Sequence, residues 1–245
     1  MLKQELQARG VPMPQAQTVQ EWEAMRPSVR DMLLNEEFGV FFPKPDKVEY
    51  RDITVWGDEE VFMGGNHDKF QISVEIEYEG RRGSFPFNLA IPHAGRPCPA
   101  FVSINFEPGT PYRYMPTEEI LDNGFAIASF SYKDVTNDDG DFSDKIAGVL
   151  YGGREREANQ AGKISIWSWA ASLVMDYLQT LDTIDQKNIA VIGHSRLGKT
   201  ALLTGAFDER FAVTISNDSG CSGAAVSRGK QGERIEAILT RFPFW

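Results

Sequence analysis

Phe70, Ile72, Val74, Ile76 and Tyr78 alternate with Gln71, Ser73, Glu75 and Glu77. This period of two predicts a strand with one wet face. Glu79-Gly80-Arg81-Arg82-Gly83 turns the chain, and Phe85, Phe87, Leu89 and Ile91 resume the alternation. Pro86 within that run predicts an edge or irregular strand. The pattern then changes. Residues 100–106 and 125–130 are almost continuously apolar, as expected of strands buried on both faces of a parallel sheet. Over 164–181, Ile166, Ala170, Leu173, Tyr177 and Leu181 form one helical stripe, widened by Trp167, Ala171, Val174 and Leu178. A short apolar strand at 189–192, a turn at 193–200, a helix to about Phe207 and a strand at 211–216 follow. Upstream, the first forty residues read as two short helices. Thr18 and Glu21 form a capping box, Pro27 ends the first helix, and Ser28 caps a second one reaching Phe38. An antiparallel lead-in followed by strand–helix alternation predicts an α/β fold, with a mostly parallel sheet and helices on both faces. A single domain is expected over 1–245, with 1–45 as a helical lead-in.

Two incompatible motifs overlap at Gly193-His194-Ser195-Arg196-Leu197-Gly198-Lys199-Thr200. As G-x-x-x-x-G-K-[ST] the string is a complete phosphate-binding loop, with Lys199 for phosphates and Thr200 for magnesium. As a nucleophile elbow, G-x-S-x-G, it is imperfect: Leu197 fills the last glycine position and Gly198 comes one residue late. Context favours the elbow. A nucleotide-binding core places its loop after the first strand, whereas here four or more strands precede it and 50 residues follow Ser195. A serine on such a turn projects its Oγ clear of the sheet, and the helix N-terminus favours developing negative charge. A plain strand–helix turn, with Arg196 and Lys199 as two solvated cations, is the bland alternative.

Composition narrows the partners. Lys and Arg number 25 against 35 Asp and Glu, a net charge of −10, which argues against nucleic acid or an anionic membrane surface. The longest stretch without Asp, Glu, Lys or Arg, 83–95, is short and broken by proline, so no membrane span is expected. Met1-Leu2-Lys3-Gln4-Glu5 lacks a basic-then-apolar leader, and a cytoplasmic location is the expectation. Cys98 and Cys221 are too few for a disulfide framework. Asn137-Asp138-Asp139-Gly140-Asp141 fails the calcium-loop template, because Val135 takes the first ligand position and no glutamate closes it. It reads as an acidic, solvated turn.

The longer string through Ala201-Leu202, then Asp208-Glu209-Arg210-Phe211, then Ser216-Asn217-Asp218-Ser219-Gly220-Cys221-Ser222-Gly223-Ala224-Ala225, resembles the glucuronoyl esterase family of carbohydrate esterases, most of all its bacterial branch. The resemblance covers about 101–245, including Met115-Pro116 and 164–177. It implies an α/β-hydrolase domain that cleaves carboxylic esters of (4-O-methyl-)glucuronic acid, such as xylan–lignin linkages, through an acyl-enzyme. It implies no cofactor and no metal, and a small carbohydrate ester as the partner. Carried over residue by residue, it makes Ser195 the nucleophile, Arg196 a holder of the oxyanion, and Lys199 a sugar contact. Glu233, in Gly229-Lys230-Gln231-Gly232-Glu233, matches a glutamate that bonds substrate hydroxyls; the alternative is a solvent-facing helix residue. Asp218 lies 23 residues after Ser195, where the family commonly carries the acidic partner as glutamate. Its alternative is an Asx cap opening the Ser219-Gly220 turn.

A base is harder to find. His194 adjoins Ser195, so its ring is expected to point away and to be buried or packed. His67, in the polar Gly64-Gly65-Asn66-His67-Asp68, and His93, after Pro92, read as surface residues. In the family the segment after Arg241-Phe242-Pro243-Phe244-Trp245 continues into further strands and a loop with the catalytic histidine. The expectation is therefore the N-terminal two-thirds of a longer enzyme, with the last strands of the sheet missing. Competing readings are an esterase for acetyl or other sugar esters, an inactive carbohydrate-binding remnant, and a phosphate-binding-loop nucleotide protein.

Overall fold

The computed structural model describes residues 15–55, 65–112, 114–225 and 232–245. The leader expectation concerns residues outside that set, as do Gly229, Lys230 and Gln231. Helix α1, Val19–Leu33, starts on Thr18, whose hydroxyl accepts from the Glu21 amide at 3.2 Å, while the Glu21 carboxylate accepts from the Gln17 amide at 2.7 Å. Pro27 does not end this helix, contrary to expectation. Proline removes the bond to the Glu23 carbonyl, but Pro27 and Glu23 both face solvent, so water can serve that carbonyl. Ser28 caps nothing; its hydroxyl donates to Met25 O at 2.8 Å within the helix. One π-helical turn, Leu34–Phe38, follows.

Seven strands form one sheet: β1 Lys47–Asp52, β2 His67–Tyr78, β3 Arg81–Pro92, β4 Cys98–Asn105, β5 Ala126–Ser131, β6 Ile184–His194 and β7 Val213–Asn217. Their order is β1-β2-β3-β5-β4-β6-β7. β1, β2 and β3 pair antiparallel, β3 joins β5 antiparallel, and β5, β4, β6 and β7 run parallel. Glu79 and Gly80 both have positive φ, 48° and 74°, as a two-residue hairpin requires. That turn makes Tyr78↔Arg81 a hydrogen-bonded pair, so alternation makes Ser73↔Pro86 a non-bonded one. The Pro86 nitrogen thus faces away from β2, and β5 pairs only with Asn88, Leu89 and Ala90. β3 is accordingly interior where β5 pairs with it, while Pro86 lies outside that stretch, where no donor is needed, so the edge or irregular character expected holds only locally.

Ala126, Ala128 and Phe130 of β5 belong to the main core, while Ile127 joins Ala90 and Leu121 in a small second cluster. Alternation thus serves both faces. α2, Thr117–Asp122, covers the second face. α4, Lys145–Tyr151, α5, Lys163–Leu178, and α6, Arg196–Phe207, cover the main one. A four-residue helix α3, Tyr132–Val135, directly follows β5, and α7, Ile235–Arg241, lies near the end of the chain. α5 is buried almost all round, with Trp167 fully enclosed, which explains its broad apolar stripe. Both cysteines are buried, Cys98 where β4 begins and Cys221 in the turn beyond β7. No described helix is long and apolar enough to cross a membrane.

Candidate active site

β6 ends at His194, α6 begins at Arg196, and Ser195 between them is held at φ 57° and ψ −123°. A non-glycine residue there stores about 1–3 kcal/mol of strain. Two bonds hold it: Ser195 N–H donates to Asn217 O at 2.9 Å, and Lys199 N–H donates to Ser195 O at 3.1 Å. Two glycines make the turn possible. A β-carbon on Gly193 would overlap the Leu197 carbonyl. One on Gly198 would lie 2.7 Å from Asn217 O and 3.1 Å from Gly193 O. Gly198 therefore does the packing that the late-glycine spacing left open, and Leu197 points into the core. The phosphate-loop reading fails on the same geometry. Residues from Arg196 onward are already helical, so the stretch that would wrap a phosphate is closed. Thr200 Oγ1 donates to Arg196 O at 3.1 Å.

Lys199 is 2% exposed, and its ammonium donates to Ser219 O at 2.6 Å and to Glu233 Oε2 at 3.0 Å. Glu233 also accepts from the Cys221 amide at 3.1 Å, and it precedes α7 rather than lying on it. These bonds tie the turn after β7 to the first turn of α6. Ser216 reinforces them, its hydroxyl donating to Gly198 O and meeting Ser219 Oγ, each at 2.8 Å. Glu37, from the π-helical turn, has its pKa raised by burial of its carboxyl, against a lowering by Ser222 and Lys199. Some of its surface remains exposed. Asp218 has positive φ, 43°, is exposed, and makes no side-chain hydrogen bond or ion pair among the described residues.

Arg196 is held differently from the solvated cation that was the alternative. Its Nη1 pairs with Asp138 Oδ2, and its guanidinium lies 5.4 Å from the Phe242 ring centre and 5.2 Å from that of Trp245. The two rings stack at 3.9 Å, nearly parallel. Trp245 Nε1 donates to Asp138 Oδ1 at 2.7 Å. Asp138 is thus no solvated turn residue: its side chain is 7% exposed. The turn is anchored from below by Lys163, fully buried, which reaches Thr136 Oγ1 at 2.7 Å, Asp144 Oδ1 at 3.5 Å and the Asp141 carbonyl. Burial lowers the Lys163 pKa, and Asp144 and Asp139 oppose that shift. Sequence reasoning missed Asp138 and Lys163, because only their distant partners distinguish them from an acidic turn and a helix start. No cluster of potential metal ligands occurs among the described residues.

The histidines sort by sheet edge. His67 pairs with Pro92 where β5 and β4 begin, and His93 follows there. Ser195 lies where the parallel strands end, roughly 20 Å away at ~3.3 Å per residue. His67 is buried, not a surface residue as expected, with Nε2 3.8 Å from Asp122 Oδ1. β2 already begins at His67, which turns the ring inward. His93 is exposed and pairs with Asp68 at 3.0 Å. Of the two expected alternatives His194 is packed and not buried: it is exposed, its ring meets Phe106 edge-on, and Nδ1 lies 3.3 Å from Asn217 Nδ2.

A sheet of this topology, with a strained serine between a parallel strand and the helix that follows, defines the α/β-hydrolase class. The chain belongs to the glucuronoyl esterase family: the family profile described as "Glucuronyl esterase, fungi" matches residues 74–240. A carbohydrate esterase, MZ0003, from an unknown prokaryotic organism is 44% identical over 130 residues, which cover 52% of this chain and 30% of that protein. A 4-O-methyl-glucuronoyl methylesterase of Podospora anserina is 27% identical over 214 residues, covering 85% of this chain and 39% of the relative. The solved glucuronoyl esterase of Solibacter usitatus superposes with a TM-score of 0.78 at 28% identity, covering 93% of this chain and 66% of that one. The chain thus spans well under half the length of these two curated relatives.

Proposed function

We propose that this chain supplies the nucleophile and oxyanion groups of a serine esterase acting on esters of glucuronic acid. The observation that carries the reading is Ser195 held at φ 57° between β6 and α6. Ser195 Oγ attacks the ester carbonyl, the alcohol leaves, and water later releases the uronic acid from the acyl-enzyme. The first turn of a helix has amide N–H groups without intrahelical partners, and in α6 these belong to the residues beside the nucleophile. Together with Arg196 they receive the negative charge of the tetrahedral intermediate, each donor of this kind being worth about 2.7–4 kcal/mol. Asp218, one residue beyond the Asn217 carbonyl that fixes Ser195, is the candidate acid of the triad. Having no side-chain partner among the described residues, it suits the role of orienting a base. A histidine takes the serine proton in this chemistry, and His67 and His93 are too far from Ser195 to be that residue. Lys199 acts by holding Glu233 and the Ser219 carbonyl in place, which leaves Glu233 the better placed of the two for sugar hydroxyls.

The substrate class comes from the family: its members include 4-O-methyl-glucuronoyl methylesterases. The test is hydrolysis of methyl or benzyl glucuronate by the full-length protein. Ser195→Ala should lower kcat by roughly 10⁴-fold or more with folding intact. Full-length protein that binds the sugar ester without cleaving it would instead support a carbohydrate-binding role.

A further inference from the structure

Asp138 has no part in that scheme, yet more of the geometry around Arg196 converges on it than on any other side chain. It comes from the segment after β5 and α3, on the same sheet edge as Ser195. One carboxylate oxygen takes Arg196 Nη1 and the other takes the Trp245 indole N–H. The indole ring, stacked on Phe242, in turn lies against the guanidinium it shares Asp138 with. The bracket is closed: acid to arginine, arginine to ring, ring to acid. Both ends are seated on the start of α5. The Lys163 ammonium holds the 136–144 turn, and the Lys163 amide donates to Phe244 O at 2.8 Å. Within this bracket the Nε of Arg196 is buried and has no hydrogen-bond partner among the described residues. The Arg196 side chain nonetheless keeps 28% of its surface exposed, so it is open to an oxygen arriving with substrate.

We propose that Asp138 is a positioning residue for ester cleavage: by bracketing Arg196 and Trp245 it fixes the guanidinium so that its uncommitted N–H face is available to the oxyanion formed at Ser195. The inference rests on the reading of Ser195 and Arg196 given above. The physical reason is preorganisation. An arginine with mobile torsions must be ordered as the charge develops, whereas one already fixed by an ion pair and two aromatic faces need not be. The short aspartate fits this task because both of its oxygens are used, and exchange for asparagine leaves one acceptor but removes the charge.

The experiment uses the full-length protein on methyl glucuronate ester. Asp138→Asn should lower kcat about 10–100-fold, less than loss of the donor itself, with KM changed less than about threefold. Asp138→Glu should recover part of that loss. Asp138→Asn combined with Arg196→Ala should be no slower than Arg196→Ala alone, within about twofold, because both remove one function. Trp245→Phe, which keeps an aromatic ring beside Phe242 but loses the indole N–H and its second ring, should give a smaller loss of kcat, and it decides the matter if Asp138→Asn does not fold. A parent-like kcat per folded enzyme in Asp138→Asn or in Trp245→Phe overturns the proposal. So do losses that multiply with Arg196→Ala. A parent that cleaves no ester overturns the esterase reading, and this role falls with it; an active parent beside an unaffected Asp138→Asn overturns this role alone.

Discussion

Gly162 is the residue on which the bracket around Arg196 is seated. A β-carbon there would overlap the Trp245 carbonyl and come within 3.0 Å of Phe244 O, and these are backbone atoms that cannot rotate away. Gly162→Ala should therefore cost about 1–3 kcal/mol, seen as a lower Tm, and should reduce turnover by displacing Trp245 from Arg196. An unchanged Tm would mean the Phe244–Trp245 segment moves aside freely. Such a requirement cannot be read from a lone glycine in a sequence, whereas Ser195 could be, because strand, turn and helix are contiguous. Arg196 and Lys199 came with that motif, but their surroundings did not. Asp138 carries the same local pattern as any acidic turn, and only partners 58 and 107 positions away bury it. His67 was misplaced because the glycines before it suggested a loop, whereas β2 already begins at His67.

At the scale of elements, the α5–α6 pair has an electrostatic clasp at its far end. Arg210 grips Asp208 through Nε at 2.8 Å and Nη2 at 2.7 Å, and also reaches Asp176 of α5. Burial alone would raise the Asp208 pKa, but the bonds and charge of Arg210 prevail and hold it below the ordinary carboxylate value. A depressed acid contributes stability above its unfolded pKa and loses it as pH falls through the folded one. Asp208→Asn should thus destabilise the protein near pH 7 by about 1–3 kcal/mol. In denaturant titrations the gap to the parent should close only below pH 3.8, the ordinary value. A gap independent of pH would make the contact merely steric. Element type was legible wherever periodicity was strong, and α5 runs within a few residues of the predicted range. The errors came from prolines and polar starts. Pro27 and Pro86 sit where their missing donor is harmless, and β6 begins at Ile184 because Asp185, Lys187 and Asn188 extend the strand on its wet half.

For the whole molecule, the order of elements decided between two motifs that residue spelling could not separate. Four or more strands expected before the turn pointed to the elbow, six precede it, and the helix that starts at Arg196 is the physical reason the phosphate loop cannot form. The count of parallel strands was equally legible, while the β3–β5 junction was not, because antiparallel docking of a hairpin onto a parallel sheet leaves no periodic mark. The two buried thiols sit at opposite ends of the parallel strands. Cys98 opens the central strand β4, and Cys221 lies in the turn beyond β7. They divide the protein into regions with different opening free energies. Trapping by a thiol reagent under native conditions should reach Cys221 first, through local release of the Ser219–Glu233 turn. Cys98 should wait for global unfolding, and the two rates should merge in denaturant above the midpoint. Equal rates without denaturant would mean that the nucleophile's surroundings open only when the entire sheet does.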